Sequence, residues 1–207
     1  KDHASNAKVL DALVSWLKLD PDKIENYLCD TENFNDILKF SFNFKYAYNI
    51  QEYWYVLNSI KAIIAFSDKV SKFISRKKEL VSKIVKQLYE ILSFSLSKNE
   101  KNMGNESAKG GSHYYSQSSA QPGSNKLPYN LQVGHNLTQV LRDLLEIIEL
   151  LIEKCCVSPR IFIERHKLQQ PLLSIYQLAQ NQGLVILEGL SAKILSSMNS
   201  PENVINN

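Results

Sequence analysis

A chain of 207 residues that is 44% hydrophobic and 22% charged can bury a substantial core, which excludes wholesale disorder. A net charge of +3 does not by itself call for nucleic acid or a membrane surface, and seven Gly and six Pro are too few for a turn-rich all-β fold. The three cysteines are Cys29, Cys155 and Cys156. An odd number with an adjacent pair is neither a disulfide framework nor a Cys-x-x-Cys zinc site, and reads as reduced thiols of a cytoplasmic or nuclear protein.

Val9, Leu10, Leu13, Trp16 and Leu17 recur at helical spacing and predict a first helix with these residues in the core. It stops at Leu19. Asp20 then suits an N-cap, Pro21 the first helical position and Asp22 the positive end of the helix dipole. A short helix with Ile24, Tyr27 and Leu28 follows, and Thr31 can cap a third with Phe34, Ile37 and Leu38. After the aromatic connector Phe44 to Asn49, a long helix runs from about Ile50 to Phe66, with Tyr53, Trp54, Leu57, Ile60 and Ile64 inward. Ser67-Asp68 caps a short helix with Val70, Phe73 and Ile74, and another long helix carries Leu80, Ile84, Val85, Leu88, Ile91 and Leu92.

From Ser97 to about Pro128 the chain is rich in Ser, Asn and Gly and nearly free of aliphatic residues. It cannot bury enough apolar surface to offset its ordering entropy and reads as a disordered insertion. Order resumes with a helix whose stripe is Leu141, Leu144, Leu145, Ile148, Leu151 and Ile152. Ser158-Pro159 starts a short helix with Ile161, Phe162 and Ile163. A further helix carries Leu168, Leu172, Leu173, Ile175, Tyr176 and Leu178. Gly183 ends it, and a last helix spans roughly Leu184 to Ser197. No apolar run reaches the ~18–20 residues of a membrane span, and no signal peptide opens the chain. Lys1 at the start and the polar Asn206-Asn207 at the end read as the bounds of a segment of a longer protein.

The pattern of long helix, capping pair and short helix thus occurs three times, at Asp20-Pro21, Ser67-Asp68 and Ser158-Pro159. The first two caps lie 47 residues apart and the next two 91, or about 58 without the insertion. Armadillo and HEAT units run ~40–47 residues. The expected fold is all-α: an armadillo/HEAT-like helical repeat domain of about eight to ten helices. Residues 1–96 and 131–199 form its two halves, 97–130 the insertion and 200–207 a tail. The competing architecture is an irregular helical bundle.

The segment Ala12-Leu13-Val14-Ser15-Trp16-Leu17-Lys18-Leu19-Asp20-Pro21-Asp22-Lys23-Ile24-Glu25-Asn26-Tyr27-Leu28 resembles an armadillo-type repeat junction. More narrowly, it resembles repeats in the non-catalytic C-terminal region of fungal mitotic-exit and septation-network kinases. The resemblance implies a regulatory or localising domain in cell-cycle signalling, cytoplasmic with nuclear or cytoskeletal association. Its partner would be a small GTPase, a spindle-pole scaffold or the kinase's own catalytic part. No residue-level function transfers.

Two constellations point to a partner surface. Phe40, Phe42, Phe44, Tyr46, Tyr48, Tyr53, Trp54 and Tyr55 fall within sixteen residues, and Tyr and Trp dominate interface hot spots. Lys69, Lys72, Arg76, Lys77, Lys78, Lys83 and Lys86 would form one basic surface on adjacent helices. The expected contact residues are Tyr46, Tyr48, Tyr55, Lys69, Lys72, Arg76 and Lys77, on a protein–protein interaction module. Two other classes compete. One is a nucleic-acid- or phospholipid-binding basic face. The other is a homodimer paired through the Leu141–Ile152 or Leu184–Leu195 stripe.

Nothing in the sequence names a reaction, a cofactor or a metal. Glu146, Glu149 and Glu153 share a helix face without the Glu-x-x-His of a di-metal site, and read as a solvated face with local pairs such as Glu149 with Lys154. His3, His113, His135 and His166 are scattered, and no phosphate-binding loop or nucleophile elbow occurs. Ser107, Ser112, Ser116, Ser118, Ser119, Ser124, Tyr114 and Tyr115 are candidate phosphorylation sites in the insertion.

Overall fold

The computed structural model describes residues 3–30, 32–43, 50–103, 129–154 and 157–199. These form ten α-helices: α1 (His3–Leu19), α2 (Pro21–Asp30), α3 (Glu32–Ser41), α4 (Ile50–Phe66), α5 (Asp68–Arg76), α6 (Lys78–Met103), α7 (Tyr129–Lys154), α8 (Pro159–Arg165), α9 (Gln169–Gln182) and α10 (Val185–Ser196). A 3-10 turn, Ser197–Asn199, follows. Among the described residues there is no strand. No described helix is long and apolar enough to cross a membrane.

Three of the four expected caps lie among the described residues and form by the same bond; Thr31 lies outside the described residues. The N–H three residues on donates to the capping oxygen: Lys23 to Asp20 at 3.3 Å, Val70 to Ser67 at 3.0 Å and Ile161 to Ser158 at 3.4 Å. Each bond satisfies a donor that the start of a helix leaves unpaired. Gly183 ends α9 at φ +66°, and the Leu184 N–H donates back to the Ala179 carbonyl at 2.9 Å. Only glycine adopts that φ without penalty.

Counted back from the caps, the long helices α1, α4 and α7 keep one register. Leu10, Leu57 and Ile148 stand at one position and Leu13, Ile60 and Leu151 at another, and all six are buried. The side-by-side contacts have the same order. α4 lies between α1 and α7, and α10 packs on the far side of α7. Lys18 near the end of α1 lies over the Phe66 ring at the end of α4, and both helices run into short helices that touch each other. α1 and α4 therefore run in the same sense. So do α4 and α7, since Lys61 reaches Asp143 while Ala65 meets Lys154. The core is one continuous cluster from Leu10 to Ile194.

Several expectations change. Trp16 and Val9 are not core residues: Trp16 is 54% and Val9 45% exposed. They occupy the flank of α1 turned away from the α1–α4 groove. The Leu141–Ile152 stripe is unavailable to a second copy, because all of its leucines and isoleucines named above are buried in the chain's own core. Backbone helix continues to Met103, beyond the Ser97 at which the composition changes, and α7 begins at Tyr129. The candidate phosphorylation sites, Cys155-Cys156, Tyr46 and Tyr48 lie outside the described residues.

Candidate interaction surface

The same-sense packing of α1 and α4 leaves an open groove of about 490 Å³ between them. Ala7 and Val14 on one helix and Ser59 and Ala62 on the other give it a floor of short side chains, while Lys8, Asp11, Asn58 and Tyr55 offer polar groups. Tyr55 is half exposed and its ring sits 5.1 Å from that of Trp54, tilted by 45°. Trp54 is only partly buried, yet its indole N–H is shielded and without a partner. Tyr53 turns the other way. It is fully buried and donates to Gln87 Oε1 at 2.9 Å, and Gln87 Nε2 donates to Glu90 at 2.9 Å. Burial first, and then the Glu90 charge, push the Tyr53 hydroxyl pKa far up, so it stays a donor.

Ion pairs tie the helices together beside this groove. Lys61 of α4 donates to Asp143 Oδ1 and Glu146 Oε2 of α7, both at 2.6 Å. Asp143 is wholly buried, and its second oxygen has no partner. Desolvation pulls the Lys61 pKa down, but the bonds and charges of Asp143 and Glu146 outweigh it and hold the ammonium above its ordinary value. For Glu146, desolvation raises the pKa, and the bonds from Lys61 and from Arg142 (2.7 Å) outweigh it to leave it lowered. Lys193 of α10 pairs with Glu149, and stands 3.9 Å from Glu153. Glu146 and Glu149 are thus engaged by other helices rather than solvated, Glu153 stays largely exposed, and Glu149 does not pair with Lys154. Lys154 instead donates to the Ala65 and Ile64 carbonyls at 2.8 and 3.2 Å and pairs with Asp68 at 2.7 Å. It places a cation at the negative end of α4 and braces the corner with α5.

Among the described residues, Tyr55 and the α5 cations expected as contacts stand apart. Tyr55 lies in the groove. Eleven residues, about 16 Å of helix, separate it from Phe66, beyond which α5 begins. Lys69, Lys72 and Arg76 are exposed along α5, and Lys77 follows at its C-cap. Lys69 bonds to Asn26 of α2, and the Lys77 ammonium lies 5.1 Å over the Phe73 ring. On α6, Lys86 faces Glu90, and Lys39 of α3 bonds Glu79 at 3.2 Å. The basic run is therefore partly engaged within the chain.

One group escaped the sequence reading. His166, at the end of α8, is buried against the Phe162 ring, 4.7 Å between centroids, and neither ring nitrogen has a partner. Burial, then the charges of Arg165 and Lys78, lower its pKa. A lone histidine in a polar sequence stretch carries no sign of such burial. Burial likewise raises the pKa of the half-buried, free Cys29 thiol. Among the described residues, no three His, Cys, Asp or Glu side chains converge as metal ligands. A search of protein families, curated proteins and solved structures found no match to the chain.

Proposed function

We propose that this chain is a non-catalytic, armadillo/HEAT-like repeat module that binds another protein along the face shared by α1, α4, α7 and α10. The observation that carries this reading is the open α1–α4 groove, with short side chains below and Tyr55, Asn58, Lys8 and Asp11 around it. A concave channel with an apolar floor and a few polar groups suits an extended segment, whose side chains enter the channel while its backbone meets the polar rim. The repeat reading rests on three caps of one kind and one register of buried positions in the long helices α1, α4 and α7 that precede them and run in one sense. The resemblance of residues 12–28 to the kinase-associated repeats suggests a small GTPase, a spindle-pole scaffold or a kinase domain as the partner class.

The test is comparative capture from lysate at moderate salt with three proteins: the native chain, Ala62→Arg, and the triple variant Lys72→Glu, Arg76→Glu, Lys77→Glu. The groove reading expects at least one protein to be lost with Ala62→Arg, which fills the channel, while circular dichroism stays native. Loss confined to the triple variant moves the site to α5. If the material bound through α5 is nucleic acid or phospholipid, and binding falls steeply with salt, the basic-face reading takes its place. Unchanged capture by both variants removes both surfaces.

A further inference from the structure

Two costly features meet where α8 turns into α9. His166 is only 7% exposed, its ring packs on Phe162, and neither ring nitrogen has a hydrogen-bond partner. The next residue, Lys167, stands at φ +54°, the one left-handed residue other than glycine among those described. A buried imidazole without partners forgoes the bonds that water would give it, and a left-handed lysine adds backbone strain. Three backbone bonds close the corner against these costs. The N–H groups of His166, Lys167 and Leu168 donate to the carbonyls of Phe162, Glu164 and Ile163 at 3.1, 3.2 and 3.0 Å. The Leu168 side chain is fully buried.

The surroundings of the ring suit the neutral imidazole and oppose the imidazolium. The charges that act on it are both positive: Arg165 on its own segment and Lys78 at the start of α6. α7 and the 3-10 turn also pack on α8, and neither gives the ring a bonding partner. Glu164, two residues away, bonds Arg160, and α9 has no acidic residue in its first turn. A proton on the second nitrogen would make both nitrogens donors, with no acceptor and beside two cations. Water relieves this only when the corner opens. α8 lies against α7 and the 3-10 turn, outside the row α1, α4, α7, α10, so the corner can open without parting the long helices.

We propose that His166 is an acid-sensitive latch: a proton taken from solvent opens the α8–α9 corner while the row α1, α4, α7, α10 stays folded. The sign follows from the direction of the pKa shift. In the closed corner the ring's pKa lies below its ordinary 6.5, and in the open corner it returns to that value. The closed corner is therefore fully favoured above 6.5 and is lost as pH falls through the folded pKa. Between the two values one proton is taken up on opening, so each pH unit changes the closed-to-open ratio by up to about tenfold. This inference does not depend on the partner proposed for the groove.

Hydrogen exchange of the whole chain tests it at the amides of His166, Lys167 and Leu168. Their protection, corrected for the intrinsic exchange rate, should fall about tenfold between about pH 7.5 and about pH 5. The amides of Leu57 and Leu144 should keep theirs, since Glu146 is still ionised there and its bonds across α4 and α7 hold. His166→Phe keeps a flat ring that cannot titrate and should abolish the fall. Lys78→Met/Arg165→Met changes exposed residues only, and covers the case in which His166→Phe does not fold. It should raise the ring's pKa, followed by NMR, and shrink the loss of protection. Unchanged protection in the native chain overturns the proposal. So does a fall of equal size in His166→Phe, a loss at Leu57 and Leu144 together with the corner, a native ring that titrates at 6.5 or above, or a titration that the double variant leaves in place.

Discussion

Trp16 and Ile63 show how a residue's energetic role can part from its type. They hold the same place before their caps, yet Ile63 is buried and Trp16 is more than half exposed. Truncating Ile63 leaves a cavity that packed neighbours cannot fill, so Ile63→Ala should cost about 2–5 kcal/mol, as should Leu145→Ala. Trp16→Ala should move stability by only about 0.5 kcal/mol, as at other surface sites. Urea unfolding of the three variants measures this directly. A large loss at Trp16 would mean that its flank is covered in solution. The indole's hydrophobicity and helical spacing are written in the sequence, but which flank is covered is not.

At the scale of an element, two glycines near α10 make opposite predictions. Gly183 sits at φ +66° with no atom within 4 Å of where a side-chain Cβ would stand, so an added methyl group meets strain in the backbone and no clash. Gly183→Ala should therefore destabilise by about 1–2 kcal/mol. Gly189 lies inside α10, also with open space around it and with ordinary helical φ. Gly189→Ala should stabilise by about 0.5–1 kcal/mol, because alanine loses less backbone freedom on folding. Thermal melts of the pair test this, and equal effects would count against the left-handed cap. Element boundaries were legible where a side chain makes its own bond: Asp20, Ser67 and Ser158 are short-range caps. The end of α6 was not legible, since polar composition marks the loss of a buried face and does not itself stop the backbone hydrogen bonding that carries α6 to Met103.

Across the whole molecule, Lys61, Asp143 and Glu146 join helices 82 and 85 residues apart in sequence. Lys61→Met should cost about 3–5 kcal/mol because it strands the buried Asp143 carboxylate, and adding Asp143→Leu should restore most of that loss. Chemical denaturation of the single and double variants gives the coupling. The pH dependence follows from the directions of the shifts. The Glu146 pKa is lowered from its ordinary 4.5, so its contribution is present in full above that value and is lost as pH falls through the folded pKa below it. The Lys61 pKa is raised from 10.5, so its contribution is complete below that value and is lost as pH rises through the folded pKa. Glu146→Gln should flatten the acid limb of the stability curve. An unchanged limb would place the acid sensitivity elsewhere.

The sequence by itself determined the all-helical class, the three caps, Gly183 as a stop and most buried positions, because each depends on neighbours within a turn or two of the chain. The tertiary structure alone decided the groove, the separation of Tyr55 from the α5 cations, the burial of Asp143 and His166, and the open flank at Trp16. Each of these depends on which helix lies beside which, and a helical periodicity specifies that a face is buried without specifying what buries it.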